Sequence, residues 1–146
     1  MTYTASQLLS MSQQQLNDLF TSSPAGDIPS GEANGTAIIA PGTVFSKEIA
    51  EVISLFGWKG KTFDAATGTL KNRITAFGID AIVARVYKTP SWFDQKECIV
   101  LDYSETSIVA EHIRDEIRQI GPGMYLGIVY WDKKKTIDFA LQFPSS

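Results

Sequence analysis

The spacing of apolar positions changes once along the chain, near Gly57. Upstream of it the period is helical. Leu16, Leu19 and Phe20 form a stripe behind Ser12, and Ser12 with Gln15 makes a capping box. In such a box the serine oxygen accepts an orphan amide and the glutamine side chain reaches back to the serine amide. Thr4 with Gln7 makes a second box, so the first helix can start at either point. Phe45, Ile49, Val52, Ile53 and Phe56 predict another helix, stopped by Gly57. Between these helices, Pro24, Gly26, Pro29, Gly31 and Gly35 mark 22–35 as a loop, read as a surface strap ahead of a binding loop. Residues 36–40 read as a short strand ended by Pro41.

Downstream of Gly57 the period becomes that of β-structure. Candidate strands are 61–65, 69–76, 79–88, 97–103, 124–131 and 136–143. The last alternates fully, with Ile137, Phe139, Leu141 and Phe143 on one face. Most connections are short and turn-like, the Asp132 to Lys135 stretch with its lysine run among them, and short connections require antiparallel neighbours. One helix is predicted inside this meander. Val109, Ile113, Ile117 and Ile120 share a helical face, Glu111, Arg114, Asp115, Glu116 and Arg118 lie on its other face, and Gly121-Pro122-Gly123 terminates it. The expected fold is therefore α+β: an antiparallel β-barrel of about seven strands with an N-terminal helix and two further helices. Closure removes exposed sheet edges, and a small barrel is either filled by side chains or holds one small ligand. The chain reads as a single domain, with 1–35 a helix-and-loop arm and 36–146 the barrel with inserted helices.

The stretch Gly57-Trp58-Lys59-Gly60-Lys61-Thr62-Phe63-Asp64, followed by Asn72-Arg73-Ile74, resembles the opening of small bacterial calycin-like (lipocalin-like) barrel domains. Pro90-Ser91-Trp92-Phe93-Asp94, Ile99-Val100-Leu101-Asp102-Tyr103, Ile113-Arg114-Asp115-Glu116-Ile117-Arg118 and Tyr125-Leu126-Gly127 resemble segments of bacterial proteins of about this length. The resemblance spans roughly 31–143. It implies a barrel with an internal cavity and brings no activity with it.

Composition narrows the partners. The chain has 146 residues, 13 basic and 16 acidic, and no Lys or Arg precedes Lys47. The excess acids, Asp18, Asp27 and Glu32, all lie in that first stretch, and the remainder is formally neutral. A basic stripe that would release counterions from nucleic-acid phosphates is missing, so no nucleic-acid partner is expected. Neither a signal peptide nor a run near the ~20 apolar residues of a membrane span is found, so no membrane insertion is expected. Cys98 is the single cysteine, which fits a cytoplasmic location. With one His and one Cys, a zinc site of such ligands cannot form, and phosphate-loop spacing is lacking, so no metal and no cofactor are expected.

Candidate chemistry rests on polar residues on strand faces that otherwise read as apolar. If those faces point inward, Asn72, Arg85 and Asp102 are buried, and Arg85 with Asp102 is either a structural ion pair or the polar end of a cavity. Trp58, Tyr103 and Tyr125 suit the wall of a lipophilic pocket as well as an ordinary core. His112, oriented by Asp115 or Glu116, and Asp102 are the candidate catalytic residues; as a boundary histidine, His112 has a plainer reading. The expected function is binding of a small lipophilic, uncharged or weakly polar molecule in the barrel. The competing readings are an isomerase, cyclase or lyase using the same cavity, and a solidly filled structural or regulatory barrel. A homodimer stays open.

Overall fold

The computed structural model describes residues 3–39, 58–74, 79–103 and 113–144, with 58–60, 71–74 and 79–83 as backbone. Both capping boxes are used, each by its own helix. Thr4 and Gln7 exchange bonds of 2.8 and 3.2 Å at the start of α1 (Ala5–Leu9). Ser12 and Gln15 do so at 2.9 and 3.1 Å ahead of α2 (Gln13–Ser22).

The strands are β1 (Gly31–Ile38), β2 (Trp58–Asp64), β3 (Thr69–Ile74), β4 (Ile79–Pro90), β5 (Glu97–Asp102), β6 (Ile113–Gly121), β7 (Met124–Trp131) and β8 (Lys134–Gln142). Each pairs antiparallel with the next, and β1 pairs with β8 from Asn34↔Gln142 to Ile38↔Asp138, which closes the ring. The barrel has eight strands where about seven were expected. The additional one is β6, read from sequence as a helix. Pro122-Gly123 ends no helix; it makes the β6–β7 hairpin turn, with Gly123 at φ +64°. β1 also starts at Gly31, inside the stretch read as loop. The predicted helix from Phe45 to Phe56, and Val109 and Glu111, lie outside the described residues.

Strand alternation sorts side chains into two apolar layers. The interior holds Ala33, Phe63, Leu70, Ala84, Val86, Ile99, Leu101, Tyr103, Ile113, Ile117, Tyr125, Val129, Ile137, Phe139 and Leu141. The outer layer is made by Leu8, Leu16 and Phe20 of the helices on Ile38, Ile120, Met124, Leu126, Ile128 and Ala140. That explains why β7 is apolar at nearly every position: one face packs inward and the other lies under the helices.

The ends of the barrel differ. At the end with the β2–β3, β4–β5 and β6–β7 turns, Ala25 and Ile28 of the strap pack on the interior cluster. Tyr125 there donates to the Asp27 carbonyl at 2.7 Å, and Gln119 N to the Ala25 carbonyl at 3.2 Å. The opposite end carries the end of β5, the start of β6 and the β7–β8 turn.

Candidate functional site

Among the described residues, a charged pair sits inside this apolar lining. β2 turns Lys61 and Phe63 inward, and β6 turns Ile113, Asp115 and Ile117 inward, by the period of two. β2 and β6 are four strands apart in a ring of eight, so the pair spans the lumen. Lys61 Nζ lies 3.3 Å from Asp115 Oδ2, with side chains 1% and 0% exposed. Tyr103, which follows β5 directly, joins them: Lys61 Nζ donates to its hydroxyl at 2.8 Å, and that hydroxyl donates to Asp115 Oδ2 at 3.1 Å. Nζ also faces the Tyr103 and Phe139 rings, at 5.5 and 5.7 Å from their centroids. The Phe139 ring lies on Gly127, where a Cβ would overlap it. Tyr103 at the exit of β5 and Asp115 near the start of β6 place the group toward the end opposite the strap.

Burial disfavours both charges. Loss of water pulls Lys61 below the ordinary lysine range against the opposing pull of Asp115. The same loss lifts Asp115 above the ordinary carboxylate range, opposed by Lys61 and the Tyr103 hydrogen bond. Asp115 Oδ1 has no hydrogen-bond partner among the described residues. As a carboxylate that oxygen lacks a donor, and carrying the acid proton it would lack an acceptor, so it calls for a partner in either state.

The other buried charges of β6 face outward and are saturated. Glu116 accepts from Ser91 Oγ at 2.6 Å, Trp92 N at 2.8 Å and Arg114 Nε at 3.1 Å. Arg118 holds both Asp94 oxygens at 2.6 and 2.7 Å and donates to the Phe20, Glu97 and Lys96 carbonyls. Its guanidinium also stacks 4.4 Å above the Phe20 ring, fixing α2 to the β4–β5 hairpin. These groups hold the structure together. Asp115 differs from them in an oxygen that has no hydrogen-bond partner among the described residues.

The residues singled out from sequence separate. Tyr103 and Tyr125 lie inside, but Tyr125 is spent on the strap. Arg85 and Asp102 are opposed in the β4–β5 ladder, as a pair would be, yet on the outer face. Arg85 is exposed between inward Ala84 and Val86, and Asp102 accepts from exposed Tyr87 at 2.7 Å. The alternation simply runs in the other phase, so neither residue belongs to the interior. Trp58 opens β2 opposite Ile74, and Asn72 is the register partner of Lys61. His112 lies outside the described residues. Asp115, expected on the charged face of a helix, is buried in the lumen, while Glu116 and Arg118 are buried on the outer wall. Lys61 carried no expected role; its alternation with inward Phe63 was the available signal.

Among the described residues no cluster of three His, Cys, Asp or Glu side chains could hold a metal, and no helix is long and apolar enough to cross a membrane. The fold and site together define an eight-stranded antiparallel barrel with an ionic group in its lumen. A crystal structure of a protein from Thermomonospora curvata shares the fold at TM-score 0.66 and 14% identity, covering 93% of this chain and 90% of that one. No family model matches the chain, and no curated protein matches it.

Proposed function

We propose that the barrel interior binds a small lipophilic molecule whose one polar end meets Lys61, Tyr103 and Asp115. The observation that carries this reading is the fully buried Asp115 Oδ1, without a hydrogen-bond partner among the described residues, beside a lysine and a described interior cluster that is apolar. A buried ion pair is weak as a stabilising device, since apolar residues of similar volume usually do as well or better. A polar group retained at that cost is better explained by something it contacts. The calycin-like resemblance and the aromatic lining support the same reading, with the ligand's apolar body against Phe139, Val129 and Ile137.

The test is binding of N-phenyl-1-naphthylamine, a neutral lipophilic fluorophore with one N–H donor, together with native mass spectrometry of protein from its own host. Saturable one-to-one enhancement is expected in the wild type. Replacing the pair by Lys61→Met with Asp115→Leu should weaken binding about tenfold, the loss of one hydrogen bond to a charged group. No saturable binding and no co-purified molecule would show a barrel filled by its own side chains.

A further inference from the structure

We propose that the ligand is a lipophilic aldehyde and that Lys61 Nζ forms an imine with its carbonyl carbon, Asp115 serving as counter-ion and Tyr103 as proton relay. This rests on the interior site proposed above and names the class of ligand it takes.

Several features of the site point to amine chemistry. The nitrogen is buried and faces the Tyr103 and Phe139 rings, and a desolvated lysine is a better nucleophile because its neutral form is favoured. A carboxylate stands 3.3 Å away, and a phenol hydroxyl lies between amine and carboxylate, accepting from one and donating to the other. That chain of bonds is a path along which a proton can leave the nitrogen and return. Burial of the nitrogen among the described interior residues would also oppose hydrolysis of the product.

The step balances without an added reagent. The Lys61 ammonium gives one proton to Asp115 through the Tyr103 hydroxyl. The free amine attacks the carbonyl carbon, a C–N bond forms, and a second nitrogen proton passes to the carbonyl oxygen to give a carbinolamine. The proton held by Asp115 returns through Tyr103 to that hydroxyl, the C–O bond breaks and water leaves. The nitrogen lone pair completes the C=N bond. Ammonium plus aldehyde becomes iminium plus water, so the charge facing Asp115 is the same before and after, and no new charge has to be buried.

The experiment uses the full chain with trans-cinnamaldehyde and cyanoborohydride, which reduces an iminium to a stable secondary amine, followed by peptide mapping. With aldehyde below one equivalent, Lys61 should be labelled at least tenfold faster than Lys88, Lys96 or Lys133 to Lys135, although it is the buried one. Labelling that follows exposure instead would overturn the proposal. Mapping on the wild type needs no variant; Lys61→Arg, which keeps the cation, should abolish the selective adduct. Tyr103→Phe should slow Lys61 labelling tenfold or more, and an unchanged rate would overturn the relay. Cinnamyl alcohol, of the same size without a carbonyl, separates the two readings by displacement of N-phenyl-1-naphthylamine. If alcohol and aldehyde both displace the fluorophore and Lys61 stays unlabelled, the imine is wrong and the binding site stands. If neither displaces it, the binding site is wrong and the imine falls with it.

Discussion

Asp115 uses one carboxylate oxygen for both of its neighbours, and that asymmetry can be tested as energy. Lys61→Met alone leaves a buried carboxylate without its cation and should cost about 3–5 kcal/mol, read from urea unfolding. Lys61→Met combined with Asp115→Leu removes both charges and should be neutral or more stable than wild type by ~1–4 kcal/mol. A double variant as unstable as the single would mean that the pair is a structural brace. Cys98 offers a contrast at the same scale. Burial first, then Glu116, pushes its thiol up to about 12. Thiolate is therefore scarce at pH 8, and the sulfur is enclosed. Iodoacetamide should leave Cys98 unmodified in the native protein and label it in denaturant; native labelling would contradict the burial.

At the scale of elements, β6 joins three kinds of work: Asp115 to the lumen, Glu116 to the β4–β5 hairpin and Arg118 to α2. Arg118→Met should cost about 3 kcal/mol, because it strands Asp94 and a set of carbonyls that the guanidinium satisfies. Hydrogen exchange should show the α2 amides losing protection before those of the barrel; uniform loss would mean that helix and barrel unfold as one unit. Arg118 hydrogen bonds hold the Asp94 carboxyl below its usual range. A depressed acid stabilises the fold above its unfolded value and loses that contribution as pH falls through the folded one. The clamp should accordingly survive mild acid. β6 also shows how far the sequence could be read. Strands with purely apolar inner faces, such as β8, announce themselves by alternation, and both capping boxes are visible as residue pairs. In β6 the inner face reads Ile113, Asp115, Ile117, Gln119, so the site's own carboxylate breaks the alternation. Ile113, Ile117 and Ile120 then fit a helical stripe, and the buried charges look solvated. The candidate site was hidden by its own chemistry. Arg85 and Asp102 failed for a different reason: an alternating strand fixes two faces but not which is inward, and β4 and β5 carry apolar residues on both.

Ring closure makes the charged pair a property of the whole molecule, because Lys61 and Asp115 meet only when opposite walls of the barrel are assembled. Global stability should therefore carry their signature against pH. The Asp115 value is raised on folding, so between about 3.8, where the unfolded carboxyl ionises, and its folded value the native state holds the extra proton. Stability falls as pH rises through that window. The Lys61 value is lowered on folding, so from its folded value up to about 10.5 the unfolded chain holds the extra proton, and stability rises with pH. The pair thus penalises the fold most between these windows and less at either extreme. The variant carrying Lys61→Met and Asp115→Leu lacks both groups and serves as the reference. Its advantage over wild type, from urea unfolding across the pH range, should be greatest in the middle and shrink toward acid and alkali. A difference that stays flat would mean that the two groups titrate alike in both states, with no desolvation inside the barrel. A maximum in the middle would show that the barrel carries a standing energetic cost in that interval, one that a bound polar group at Asp115 Oδ1 would reduce. Ligand should then stabilise the wild type most in the same interval, which ties the stability curve to the proposed site.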